Sequence, residues 1–210
     1  MRLLRLSLIG GSMSRTFLPR LFLLGLVLMG LAACNNAPPV RPVFPDIRFT
    51  DKPPMPLAVG SIQVQITFQP SFKPPEVEHL FPVPPARAME AWSRDRLRIT
   101  GGPGSARVTI RNAMVTETSL PKTGGITGAV TKEPSERYDA TLEMSVEILD
   151  DRGFALRTVT GRASRSQSVL EGITPNDRDK AQYEMTRAVM ADLDQTLETE
   201  IRNNFGTYLQ

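Results

Sequence analysis

The stretch SERYDATLEMSVEIL, residues 135–149, followed by DDRG (150–153) and FALRTVTGRASRSQSV (154–169), decides the fold. Tyr138, Ala140, Leu142, Met144, Val146 and Ile148 alternate with Asp139, Thr141, Glu143, Ser145 and Glu147. A period of two with one apolar and one polar side is the signature of a strand that buries a single face. The short Asp-Asp-Arg-Gly connection then turns the chain back, so 135–149 and 154–169 form an antiparallel hairpin. A sheet with one wet face needs a cover on the other, and helices supply it in a two-layer domain.

Working outward, the preceding segment ARVTIRNAMVTET (106–118) has Val108 and Ile110 in alternation, then either Met114 in phase or Ala113 and Val115 out of it. That phase change is the mark of a bulge. SIQVQITF (61–68) alternates again through Ile62, Val64, Ile66 and Phe68, a further strand with one buried face. Helical spacing appears twice. PARAMEAWSRDRLRI (85–99) opens on a proline suited to a first helical turn and repeats Ala88 or Met89, Trp92 and Leu97 over about four turns. TGGPGS (100–105) ends it. The final segment, 174–209, has Thr174 or Asn176 as caps, Asp177 and Asp179 at its positive end, and the stripe Met185, Val189, Leu193, Leu197, Ile201 and Phe205. The order β-α-β-β-β-α predicts an α+β two-layer sandwich over 58–209, with two helices on one face of a four-stranded, largely antiparallel sheet. Trp92, Phe154 and Phe205 are expected to fill its core.

Thirteen of the 18 prolines fall between Pro38 and Pro85. Proline lacks an amide donor and fixes φ, so residues 34–57 read as an extended tether. At roughly 3 Å per residue, about 20 residues would span on the order of 60 Å. Before them lies a basic start, the run LPRLFLLGLVLMGL (18–31) and the small residues Ala32 and Ala33, the layout of an export signal over 1–33. Its clean apolar part, Leu21–Ala33, is shorter than the roughly 20 residues of a membrane span. Met13 begins an ordinary export signal by itself and is the expected true start.

Leu31-Ala32-Ala33-Cys34, with the sole cysteine of the chain, resembles the lipobox of bacterial lipoproteins. The resemblance implies cleavage before Cys34, a diacylglycerol on its sulfur and acylation of the freed amine. Two or more acyl chains anchor stably where one does not. Asn35, in place of the aspartate that retains such proteins at the inner membrane, resembles the outer-membrane pattern. The element order of the body also resembles the ABC-transport auxiliary lipoproteins and the lipoprotein that plugs the lipopolysaccharide translocon.

The formal net charge of +3 belongs to the leader: four arginines precede Cys34, leaving 21 basic and 22 acidic side chains from there on. No persistent basic face for nucleic acid is expected. His79 is the only histidine and Cys34 is committed to lipid, so a Cys-His pair or a histidine-rich zinc site is excluded. A serine nucleophile lacks its G-x-S-x-G elbow, and His79, beside Glu78 in a Pro-rich loop, reads as solvated. Glu143 and Glu147 fall on the polar side of a strand, and Asp192, Asp194, Glu198 and Glu200 on the wet side of the last helix. GGPGS and TGGITG lack the phosphate-loop endings. No catalytic residue, metal or cofactor is expected.

Two features suit a partner protein. Residues 87–111 carry a local +4 that includes Arg87, Arg94 and Arg98, opposed by a local −3 over 177–202. The connection SLPKTGGITGAVTKEPSE (119–136) offers Ile126 and Val130. The reading is a lipid-anchored, non-enzymatic accessory or assembly lipoprotein of a cell-envelope complex, with its body in the periplasm and lipid as anchor or also as cargo. The alternatives are a stand-alone lipid- or small-ligand-binding module, which requires a wide apolar space between helices and sheet, and an envelope enzyme built on carboxylates or serines, which requires a polar cleft.

Overall fold

A computed structural model describes residues 42–121 and 133–210. Strand β1 (Met55–Leu57) and strand β2 (Ser61–Ile66) come first, then a single 3-10 turn (Glu78–Leu80) and helix α1 (Pro85–Arg96). Strands β3 (Leu97–Ile99), β4 (Ser105–Ser119), β5 (Pro134–Leu149) and β6 (Ala155–Leu170) follow, and helix α2 (Pro175–Asn204) closes the order before a last 3-10 turn, Gly206–Tyr208. The main sheet runs β2-β4-β5-β6, with β2 parallel to β4 and the other pairs antiparallel. Two helices, one four-stranded sheet that is mostly antiparallel, and two layers are thus the architecture that the alternation at 135–149 predicts.

The hairpin lies as its pattern requires. Tyr138, Ala140, Leu142, Met144, Val146 and Ile148 are buried, and Met144 sits opposite Gly161 on β6. The ladder between β4 and β5 shifts between Ile110 and Asn112, which settles the phase on β4: Ala113 and Val115 turn inward, fully buried, while Met114 does not. The same point is where β2 leaves β4, since Thr67 N and Phe68 N both donate to Ile110 O at 2.9 and 3.2 Å.

Helix α2 starts where Thr174 Oγ1 accepts from Asp177 N at 3.2 Å, satisfying one of the free donors of the first turn. Its stripe from Met185 to Phe205 is buried throughout. The helix comes so close to β6 that a Cβ placed on Gly161 would lie 2.5 Å from Leu197 Cγ, so any larger residue there must displace the Leu197 side chain. Helix α1 is shorter than its sequence suggests. Its last three predicted residues, Leu97–Ile99, pair instead as β3 with β1, in parallel. Gly102 and Gly104 then make the turn into β4 at positive φ, with Ala58 O and Leu149 O too near for any Cβ.

Two expectations are corrected. Phe154 is 67% exposed, because it belongs to the turn between β5 and β6, where Gly153 stands at positive φ, and not to either strand. And the tether does not reach residue 57: Ile47, Phe49, Met55 and Leu57 are buried in the core. Proline forbids a helix or a central strand there, yet a three-residue strand pair asks for few amide donors, and the apolar residues between the prolines pack as well as any others. Leu57 also bridges Leu209, and Ala58 N donates to Tyr208 O at 2.8 Å, so both ends of the body meet.

Candidate functional site

Cys34, Ile126 and Val130 lie outside the described residues. Of the three arginines offered as a partner surface, Arg87 and Arg94 line one shallow pocket on α1. Arg87 pairs with Asp46 at 2.9 Å, and Arg94 lies 3.6 Å from Glu90 one turn back on α1. Arg98 is on β3, exposed, with no ion pair among the described residues. The local excess of positive charge is largely spent inside the molecule. Arg96 is fully buried between the helices, where it meets Asp194 at 2.8 Å and also Glu198.

That pairing is the centre of a polar cluster that fixes the chain's amino-terminal segment. Asp194, read from sequence as wet, is fully buried. Its Oδ1 accepts from Trp92 Nε1 at 2.7 Å and from Arg96 Nε at 2.8 Å, and its Oδ2 from Lys52 Nζ at 2.6 Å. Arg96 also donates to the carbonyl of Pro53. Burial pushes the Asp194 carboxyl upward, but the hydrogen bonds from Lys52, Trp92 and Arg96, with the charge of Arg96, outweigh it and hold the group below its ordinary range. A second clamp lies nearby: Arg48 grips Asp95 with two donors at 2.8 and 2.6 Å, and Phe49 N adds a third bond at 2.9 Å. The Arg48 hydrogen bond holds the Asp95 carboxyl low against its own desolvation. Asp194 stands four residues after Met190 and three before Leu197, on the apolar face of α2. Arg96 stands four after Trp92 on α1. Charged residues in core phase on two helices were the available signal.

The free border of β2 carries a different kind of site. Sheet order leaves β2 at one edge and β6 at the other. Val64 and Ile66, expected to be buried, are 40% and 46% exposed on this edge strand. Beside Ile66 a groove of about 320 Å³ is lined by Phe68, Pro70, Pro84 and Ala86, with Glu78 and His79 from the 3-10 turn. Glu78 is not solvated as the loop sequence suggests, and His79 is half-buried. Glu78 is only 3% exposed, and neither of its carboxylate oxygens accepts a hydrogen bond. His79 Nδ1, also buried without a hydrogen bond, lies 3.7 Å from Glu78 Oε1, beyond bonding distance. Phe72 stands over His79 edge-on, with ring centroids 5.1 Å apart. Its φ of 56° is in the left-handed region, which bulky residues seldom occupy.

Among the described residues no three His, Cys, Asp or Glu side chains are placed to share a metal ion, and no helix is long and apolar enough to cross a membrane. No protein-family model matches the chain, and no curated protein matches it in sequence. Among solved structures, a candidate lipoprotein from Caulobacter crescentus matches over 67% of this chain and 86% of its own, at 10% identity and a TM-score of 0.36. A minor lipoprotein from Acinetobacter baumannii matches over 71% and 96%, at 14% identity and a TM-score of 0.37. A candidate homologue of the neuraminyllactose-binding hemagglutinin of Helicobacter pylori matches over 74% and 91%, at 8% identity and a TM-score of 0.34. Likeness at this level leaves the role of this chain to its own residues.

Proposed function

We propose that this chain is a lipid-anchored accessory lipoprotein of the bacterial cell envelope, which works by position and binding rather than by making or breaking bonds. Acyl chains on Cys34 hold it at the outer membrane with its body in the periplasm, where it supports or assembles a protein complex, one that moves lipid being the finer expectation. The observation that carries this reading is the mounting of the amino-terminal segment. The chain that leads from Cys34 is built into the body from Ile47 onward, by buried apolar side chains and by the clamps at Asp194 and Asp95.

A lipid on a loose tail fixes only a location. A lipid on a segment locked to two helices also limits which faces of the body are turned to a partner. Contact with the body begins before Ile47, since the ring of Phe44 lies 4.9 Å from that of Tyr183 and Asp46 pairs with Arg87. A stand-alone carrier of lipid needs room between its layers, and here Trp92, Met144, Leu193 and Leu197 occupy that space fully buried.

The test is metabolic labelling with a fatty acid, followed by separation of membranes from soluble fractions, for the full chain and for Cys34→Ala. Label and outer-membrane recovery for the full chain, both lost in the variant, are expected. Label in neither ends the proposal.

A further inference from the structure

We infer that the groove beside β2 receives an extended segment of a partner protein, which adds to the sheet along Ser61–Ile66 and sets a lysine or arginine against Glu78. This rests on the reading of the chain as a docking lipoprotein and names where and what it docks.

The two edges of the sheet are built differently. Natural edge strands guard themselves against stray pairing with charged side chains. Strand β6 does so, with Arg157, Arg162 and Arg165 exposed along it. Strand β2 reads Ser-Ile-Gln-Val-Gln-Ile and has no charge at all, while Val64 and Ile66 present apolar surface next to its open border. An unguarded edge flanked by an apolar groove suits strand addition, in which main-chain hydrogen bonds hold the guest and alternate side chains fill the pocket.

Glu78 says what the guest carries. Buried polar groups in folded proteins are hydrogen-bonded almost without exception, and a carboxylate withdrawn from water without donors is destabilising. Both oxygens of Glu78 are in that state in a side chain that lines the groove, with His79 Nδ1 no nearer than 3.7 Å, so we assign the missing donors to an occupant that opens the way to them as it seats. A cationic side chain supplies N–H groups and opposite charge together. The same carboxylate opposes a phosphate headgroup, which disfavours lipid as the occupant. Phe72, 66% exposed in a strained conformation at the rim, adds an aromatic face over which an arginine or an apolar side chain can lie.

The experiment uses the full lipidated chain in its native envelope, with a benzophenone amino acid placed singly at Val64, Phe72, Arg98 or Thr158. Adducts from Val64 and Phe72 are expected to join one protein, within a few residues of a lysine or arginine in an extended segment. Glu78→Gln should lower their yield by about tenfold or more, as loss of one partner from a buried charged pair does. Reversing both charges, Glu78→Lys with the mapped basic residue changed to glutamate, should restore them. Glu78→Gln in the isolated protein should raise the melting midpoint by about 2–4 °C, since it relieves an unpaired carboxylate. A fall in that midpoint means that Glu78 has a partner within its own chain and overturns the inference. Adducts from Val64 and Phe72 with phospholipid or small amines alone overturn it too. Protein adducts only from Arg98 or Thr158 overturn the site and leave the docking role intact, whereas no protein adduct from any position removes both.

Discussion

Replacing Asp194 by alanine tests the mount of the amino-terminal segment. The substitution takes three hydrogen bonds from Asp194, those with Lys52, Trp92 and Arg96, and leaves the Arg96 guanidinium fully buried beside Glu198 and the Pro53 carbonyl only. Removing one member of a buried ion pair costs about 3–5 kcal/mol, much of it the burial of the charge left behind. For a body of this size each kcal/mol lowers the melting midpoint by about 2–4 °C, so a fall of about 6–20 °C is expected. The loss should be local as well as global. Trypsin cannot cut after Lys52, which precedes Pro53, but it can cut after Arg48 once the segment lifts away. Cleavage between Arg48 and Phe49 should therefore become fast in Asp194→Ala while α2 stays protected. The double substitution Arg96→Met with Asp194→Leu removes both charges at similar volume and should recover most of the stability. A midpoint for Asp194→Ala within about 2 °C of the parent, with Arg48 still protected, would mean that Asp194 does not hold the segment.

Three further outcomes follow from the same contacts. Asp95 and Asp194 are both held below the ordinary carboxyl range. Their contribution is complete above the unfolded-state value of about 3.9 and is lost as pH falls through their lower folded values, so the segment should become susceptible to an acid-active protease only below about pH 4, ahead of global unfolding by circular dichroism. Gly161→Val should force α2 off β6 at Leu197 and lower stability in urea by about 1–3 kcal/mol, where the same change at exposed Thr160 does little. Thr174→Ala removes the cap of α2 and should cost about 1 kcal/mol, read by the same titration.

Most of the sandwich was legible because its strands bury one face and its long helix one stripe. The alternation through Tyr138 and Ile148 and the stripe from Met185 to Phe205 each had a single consistent phase. Segment 46–57 was not, since its prolines describe what the backbone cannot do and say nothing of the apolar side chains between them, which pack. The strand pair β1 and β3 joins residues more than forty apart through three positions each, too short to leave a period. Val64 and Ile66 alternate as a buried face would, and their exposure follows from the edge position of β2, which the alternation does not reveal. The site was the least legible part. Glu78 and His79 look like loop residues in solvent, and their burial depends on where β2, the 3-10 turn and α1 meet. Asp194 and Arg96 do leave a trace in the sequence, as opposite charges in core phase on two helices.

The anchor at Cys34 is directly measurable. Mass spectrometry of the amino-terminal peptide of the protein recovered from membranes should show a chain that begins at Cys34, with diacylglycerol on the sulfur and an acyl group on the amine. A free thiol at Cys34 in a protein that keeps residues 13–33 would contradict lipid anchoring.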